Sequence, residues 1–75
     1  MKEDEPFRVR AYHKGILAHL YNPGLPVEAA MRKLRNWIRK NEDLYDALYS
    51  GREGKNDHYF TRRQVELIVE HLGEP

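Results

Sequence analysis

The segment that most constrains the fold is residues 26–40, PVEAAMRKLRNWIRK, because its apolar and basic side chains separate at the helical period. At about 100° per residue, six apolar side chains share one arc of about 120°. They are Val27, Ala30, Met31, Leu34, Trp37 and Ile38. The opposite side, called the basic face below, consists of Arg32, Lys33, Arg35, Asn36, Arg39 and Lys40. The pattern predicts a helix that packs into a core centred on Trp37 and exposes the basic face.

A second helix is predicted just before this one, so that residues 13–40 form a helix-turn-helix pair. The run HKGILAHLY places four apolar side chains at helical spacing, namely Ile16, Leu17, Leu20 and Tyr21. The tripeptide NPG at residues 22–24 ends that helix. Pro26 suits the first turn of the next helix, where a backbone N–H has no helical partner. We therefore expect two apolar helix faces to pack across a short turn.

Two more helices follow in the predicted fold. Asn41 is expected to cap a short helix within residues 41–50, since its side chain can accept a bond from a free N–H. Thr61 and Gln64 have the spacing of a capping box, which predicts the start of a last helix over residues 62–72.

Strand patterns occur in two short segments, one before the first predicted helix and one before the last. Residues 7–12, FRVRAY, alternate between apolar and polar, and residues 58–60, HYF, form a second short apolar run. Since each run leads directly into a predicted helix, we expect the two strands to pair as a ribbon. The predicted fold class is mainly α with a small two-stranded β-ribbon and four short helices. It forms one domain over residues 7–75, after a flexible acidic tail at residues 1–6.

Several classes of function are disfavoured by composition. The 75 residues include no cysteine, which excludes thiolate metal sites and disulfides. The four histidines lack the spacing of a helical ligand pair, although His13 and His58 would approach each other if the strands pair. No nucleophile motif or phosphate loop is present, so we expect no enzyme, metal, cofactor or small-molecule substrate. A polar first segment and the lack of an apolar run of about 20 residues predict a cytoplasmic protein without a membrane partner.

The helix pair and its basic face indicate a DNA-binding module with double-stranded DNA as partner. An α-helix fits the major groove, where arginine and asparagine can bond base edges, while lysines suit phosphates. A loop and strand over residues 51–60 would then act as a wing, with Arg52 and Lys55 as further contacts. A simpler interpretation is a solvated helix face, because lysine and arginine are also good helix formers. A domain this small would bind as a homodimer or beside a partner protein.

The last helix supports an alternative function as a protein-interaction adaptor or self-associating domain. Leu67 falls outside the apolar arc of that helix, which would place an apolar side chain in solvent. Arg62 and Arg63 stand in its first turn, where the helix dipole disfavours cations. Either a phosphate partner or solvent screening would offset this cost.

Two short motifs resemble the winged helix-turn-helix domains of MerR-type regulators and excisionase-type proteins. One is Leu34-Arg35-Asn36-Trp37, similar to a Leu-Arg-x-aromatic run in their second helix. The other is the step Tyr59-Phe60-Thr61 followed by Val65 and Ile68. The resemblance implies that Arg35 contacts the DNA backbone and that the loop over residues 51–58 is a wing.

Nearly the whole chain also resembles a family of short, uncharacterised bacterial proteins described as a domain of unknown function. The shared stretches are residues 10–14 (RAYHK), residues 17–21 (LAHLY), residues 33–38 (KLRNWI) and residues 60–75. This resemblance implies membership of a family but no activity.

Overall fold

A computed structural model of the chain describes residues 7–75, and the predicted acidic tail at residues 1–6 lies outside this range. Four helices and two short strands make up the fold. In chain order they are β1 (Tyr12–His13), α1 (Lys14–Tyr21), α2 (Val27–Lys40), α3 (Glu42–Leu48), β2 (Tyr59–Phe60) and α4 (Arg62–Leu72). The predicted fold class, mainly α with a two-stranded ribbon, is confirmed. Within the described range, each helix is too short or too polar to cross a bilayer.

The ribbon is antiparallel and pairs the segment before α1 with the segment before α4. Tyr12 lies opposite Phe60, and His13 lies opposite Tyr59. The predicted strand over residues 7–12 was wrong in its extent, because β2 offers only two residues to pair with. The preceding segment folds back instead: the Tyr12 hydroxyl donates to the Arg8 carbonyl at 2.9 Å. Burial alternates only over residues 7–10, since Ala11 is exposed and Tyr12 is buried.

Side chains at the helix termini define where the helices start. Asn41 accepts a hydrogen bond from the Leu44 N–H at 3.1 Å, as predicted. Thr61 and Gln64 form the predicted capping box, with bonds of 3.2 and 3.0 Å. His13 caps α1 by accepting from the Gly15 N–H at 3.0 Å, which the sequence pattern did not suggest. Pro26 occupies the N-cap of α2, one residue before its predicted place in the first turn.

The core is built by all four helices and both strands, and α1 and α2 share the most extensive contact. Its buried apolar residues are Tyr12, Leu17, Ala18, Ala30, Leu34, Ile38, Leu44, Leu48, Phe60, Val65 and Ile68. The prediction of a core centred on Trp37 was wrong. The indole lies partly buried at the edge of the core, edge-on to Tyr21 with 6.3 Å between ring centroids. Such placement is usual for a ring too large to be enclosed in a thin core.

Some apolar side chains that the helical pattern placed inside are exposed. Ile16 and Leu20 are 57% and 44% exposed because α1 packs through Leu17 and Ala18 instead. Val27 is 47% exposed, since it lies in the first turn of α2 opposite Gly15, which has no side chain to cover it. Leu67, predicted to be exposed, is partly buried against the core.

Candidate nucleic-acid interface

The basic face of α2 is exposed along its whole length. All six of its residues lie in solvent, whereas Ala30, Leu34 and Ile38 of the same helix are buried. The segregation that the sequence predicted is therefore present in the structure. The face nevertheless has two sides with different neighbours.

On a helical wheel the basic face divides into two flanks. Arg32, Arg35 and Arg39 fall within about 60° of one another and form the arginine flank. Lys33, Asn36 and Lys40 fall within another 60° or so and form the lysine flank. The lysine flank borders the indole of Trp37, and the Lys33 ammonium lies 5.5 Å from that ring. The arginine flank borders an open cleft.

The cleft lies between α2, α3, the start of α1 and the loop over residues 51–58, and has a volume of about 460 Å³. Its rim carries four cations, Lys14, Arg35, Arg39 and Lys55. Its side wall is formed by Tyr45 and Tyr49 of α3. Its floor is apolar and consists of Ala18, Met31, Leu34, Ile38 and Phe60. The cleft thus joins a positive rim to the hydrophobic core.

The loop over residues 51–58 connects α3 to β2 and folds toward the cleft. Its carbonyl at Lys55 accepts a hydrogen bond from the Lys14 ammonium at 3.1 Å. The Lys55 ammonium lies 4.8 Å from the ring of Tyr45 and 5.7 Å from that of Tyr49. The two predicted wing contacts are therefore separated, because Lys55 lines the cleft while Arg52 lies exposed outside it.

Lys14 is a basic residue of the site that the sequence pattern missed. It stands alone among apolar residues in HKGILAHLY and shows no local sign of a basic face. The ribbon brings it to the cleft, since the Lys14 N–H donates to the His58 carbonyl at 2.9 Å. The predicted pairing of the two strands was the one signal that could have located it.

The charges of the cleft act on one another. Burial lowers the pKa of the Lys14 ammonium, Asp57 opposes this change, and Arg35 adds to it. Burial also raises the pKa of the Tyr49 phenol, as does the nearby Tyr45. With four cations against the single carboxylate of Asp57, the cleft carries a formal charge of 4 − 1 = +3 when its histidines are neutral. An anion in the cleft would therefore be stabilised by all four cations at once.

Arg63 has a structural role, which neither of the two predicted explanations included. Its guanidinium donates to Glu53 at 2.7 and 3.0 Å and to the carbonyls of Ala47 and Leu48 at 3.0 and 3.1 Å. Cations at a helix C-terminus are favourable, so Arg63 stabilises the end of α3. The guanidinium of Arg63 lowers the pKa of Glu53 to about 2. Arg62 remains exposed without such a role.

Two histidines, one in β1 and one just before β2, lie at the cleft. His13 and His58 both line it, and the His13 ring packs edge-on against Tyr59 at 5.3 Å. Within residues 7–75, no group of three histidine, cysteine or acidic side chains is placed to hold a metal.

Comparison with known proteins identifies a family. Searches of curated proteins and of solved structures gave no significant match. The profile of the domain of unknown function DUF4248 matches residues 8–75. This match confirms the predicted resemblance to a family of unknown function, while the likeness to winged helix-turn-helix domains stays a prediction. The chain belongs to the DUF4248 family.

Proposed function

We propose that this protein is a non-catalytic module that binds double-stranded DNA through the basic face of α2. The observation that carries the proposal is convergence. Arg35, Arg39, Lys55 and Lys14 come from three separate parts of the chain and line one cleft. Four cations around one opening create a local positive potential that attracts phosphates.

The arginine flank has the dimensions of a groove-binding element. Arg32 and Arg39 are seven residues apart, which is roughly 10 Å along the helix axis. That distance corresponds to about three base-pair steps of 3.4 Å. Arg35 lies between them on the same side, so the three guanidinium groups can follow one strand of a duplex. Lys14 and Lys55 would then contact phosphates at the side of the helix.

Among residues 7–75, Asp57 is the one carboxylate that lines the cleft. Glu42 and Asp43 lie exposed in the first turn of α3 and outside the lining of the cleft. Among the described residues, no salt bridge joins either of them to the basic face. Within residues 7–75, an incoming phosphate therefore would not have to displace a salt-bridged carboxylate from Arg35 or Arg39.

A salt titration tests the proposal. Fluorescence anisotropy with labelled random duplex DNA should show binding at low salt that weakens steeply as salt rises, because counterions return to the phosphates. Arg35→Gln with Arg39→Gln should remove most of this binding. The charge-conserving pair Arg35→Lys with Arg39→Lys serves as the control and should retain part of it. Undetectable binding at low salt would refute the proposal.

A second candidate function is association with another protein, and exposed apolar side chains favour α1 over α4 as its surface. Leu67 is partly buried, whereas Ile16 and Leu20 are exposed one helical turn apart. Ile16 and Leu20 border a groove that is also lined by Phe7 and Pro75. Light scattering of Ile16→Lys with Leu20→Lys tests this function. A fall in molecular mass would support self-association through α1, and an unchanged monomer would count against it.

A further inference from the structure

We propose that the cleft is also a binding site for a small organic anion, a ligand with a flat apolar body and a carboxylate or phosphate group. The sequence predicted no small-molecule substrate, and the inferred ligand is bound without being converted. The site goes beyond DNA binding, since its apolar floor suits a small molecule while the exposed arginine flank suits a polymer.

The floor of the cleft favours the apolar part of such a ligand. Leu34, Ile38 and Phe60 line it and are only 2–4% exposed, so the cleft reaches the core itself. These side chains expose little area of their own, so an apolar ring would gain mainly by removing its own surface from water, whereas phosphates of a DNA backbone would gain nothing here. The volume of about 460 Å³ lies in the range of known small-molecule sites.

The side wall favours a planar body. Tyr45 and Tyr49 stand edge-to-face with ring centroids 5.3 Å apart. The Lys55 ammonium rests on both rings and comes from a loop, so it can move aside for a flat ligand. An aromatic ring would then replace a cation–π contact with a stacking contact of similar strength. Lys55 would remain near the bound anion.

The rim favours the anionic part. Arg35 and Arg39 are one turn apart on α2, and guanidinium groups bind carboxylates and phosphates in bidentate fashion. Lys14 is fixed from the other side by its bond to the Lys55 carbonyl. Its ammonium and the Arg35 guanidinium repel each other in the free protein, and a bound anion would relieve this repulsion. Rim and floor together select a molecule that is both charged and apolar.

Fluorescent probes provide the test without any DNA. The probe is anilinonaphthalene sulfonate, and its neutral counterpart phenylnaphthylamine lacks only the anionic group. We expect the anionic probe to bind at one site with much higher affinity than the neutral one. Arg35→Gln should weaken its binding about tenfold, as the loss of a charged hydrogen bond does. Arg62→Gln, exposed at the start of α4 and outside the cleft, should leave the affinity unchanged.

Amide NMR locates the probe and separates the possible results. Shifts centred on Ala18, Leu34 and Phe60 with retained peak dispersion support the proposal. Equal affinity of both probes, shifts centred on Ile16 and Leu20, or an equal loss in both arginine variants would overturn it, and so would lack of binding. Displacement by naphthyl phosphate or by naphthoate shows which anionic group is preferred. Displacement by inorganic phosphate at the same concentration would also overturn the role of the floor.

Discussion

On the lysine flank of α2, Lys33 lies over an indole that is already packed against Tyr21. On the arginine flank, Arg35 and Arg39 stand over an opening that reaches the core. The two flanks have similar side chains and similar exposure, so their residue types do not explain the difference. The neighbouring elements do, because the end of α1 closes one flank while α3 and the loop over residues 51–58 leave space beside the other. A basic residue becomes a candidate binding residue when the neighbouring elements leave an open space beside it.

The elements beside each flank are held in place by a separate set of hydrogen bonds. The Tyr21 hydroxyl donates to the Gly73 carbonyl at 2.5 Å, which ties the end of α1 to the end of α4. On the other side, Glu53 accepts from Thr61 and from Arg63 and so ties the loop to α4. Substitutions in one set of bonds should therefore leave the other flank unchanged. Loss of the Leu34 side chain, which lies beneath both flanks, should affect both.

The largest expected effect comes from Leu34, which lies under both flanks and is 2% exposed. Leu34→Ala should lower the free energy of unfolding by about 2–5 kcal/mol, because it removes buried methyl groups and leaves a cavity. For a domain of this size that loss is a large part of the total stability. Urea denaturation followed by circular dichroism measures it.

Val27→Ala is the matched control. Val27 falls on the same predicted apolar arc but is 47% exposed, so its truncation should cost less than about 1 kcal/mol. Equal losses in the two variants would contradict the described packing of α2.

These two residues also show how far the sequence alone could lead. The helical period identified which arc of α2 is apolar, and capping chemistry located the starts of α3 and α4. Periodicity cannot say how far a neighbouring helix extends, so it placed Val27, Ile16 and Leu20 inside. It also could not show that Trp37 would lie at the edge.

The cleft was harder to predict than the basic face. Periodicity placed Arg35 and Arg39 on the exposed side of α2, since both lie on one helix. Lys14 and Lys55 are 41 residues apart and meet only through the ribbon and the folded loop. Their contact depends on tertiary packing, and no local pattern in the sequence predicts it.

The next effect in size distinguishes the flanks in DNA binding. If the arginine flank is the interface, Arg35→Gln with Arg39→Gln should weaken binding by about tenfold or more and reduce the salt slope by up to about two contacts. Lys33→Gln with Lys40→Gln removes the same formal charge from the same helix and should have a smaller effect. Anisotropy titrations at several salt concentrations compare them. Equal losses would mean that only net charge matters.

Tyr21→Phe should lower the free energy of unfolding by about 1 kcal/mol, the usual value of a hydrogen bond, because it removes the bond to Gly73 beside the lysine flank. Burial, with a further contribution from Glu74, raises the pKa of Tyr21 from 10.0 to about 12. The fold therefore favours the neutral phenol, and this stabilisation is complete below pH 10.0 and is lost as the pH rises through about 12.

Urea denaturation at neutral and alkaline pH checks this expectation. The difference between the wild type and Tyr21→Phe should shrink across that alkaline window, since the variant has no phenol to ionise at this position. A difference that stays constant there would show that the hydroxyl contributes no pH-dependent stability. Tyr59→Phe serves as control, because Tyr59 is 60% exposed.

The smallest effect concerns the hydrogen bonds that hold the loop beside the arginine flank. Glu53→Gln keeps the shape of the side chain but removes its charge, so the bonds to Arg63 and Thr61 should weaken and Tm should fall slightly. Hydrogen bonds from Arg63 lower the pKa of Glu53 from 4.5 to about 2. A lowered carboxyl pKa stabilises the fold above pH 4.5, and this contribution disappears as the pH falls through about 2. The Tm difference between the wild type and Glu53→Gln should therefore close over that acidic window, while Glu66→Gln on the exposed side of α4 should show no such trend.

Because Glu53 holds the loop that bears Lys55, faster amide exchange in residues 51–58 should accompany the variant at neutral pH, with exchange near Tyr21 and Trp37 unchanged. Equal acceleration on both sides of α2 would show that the two flanks are not fastened independently.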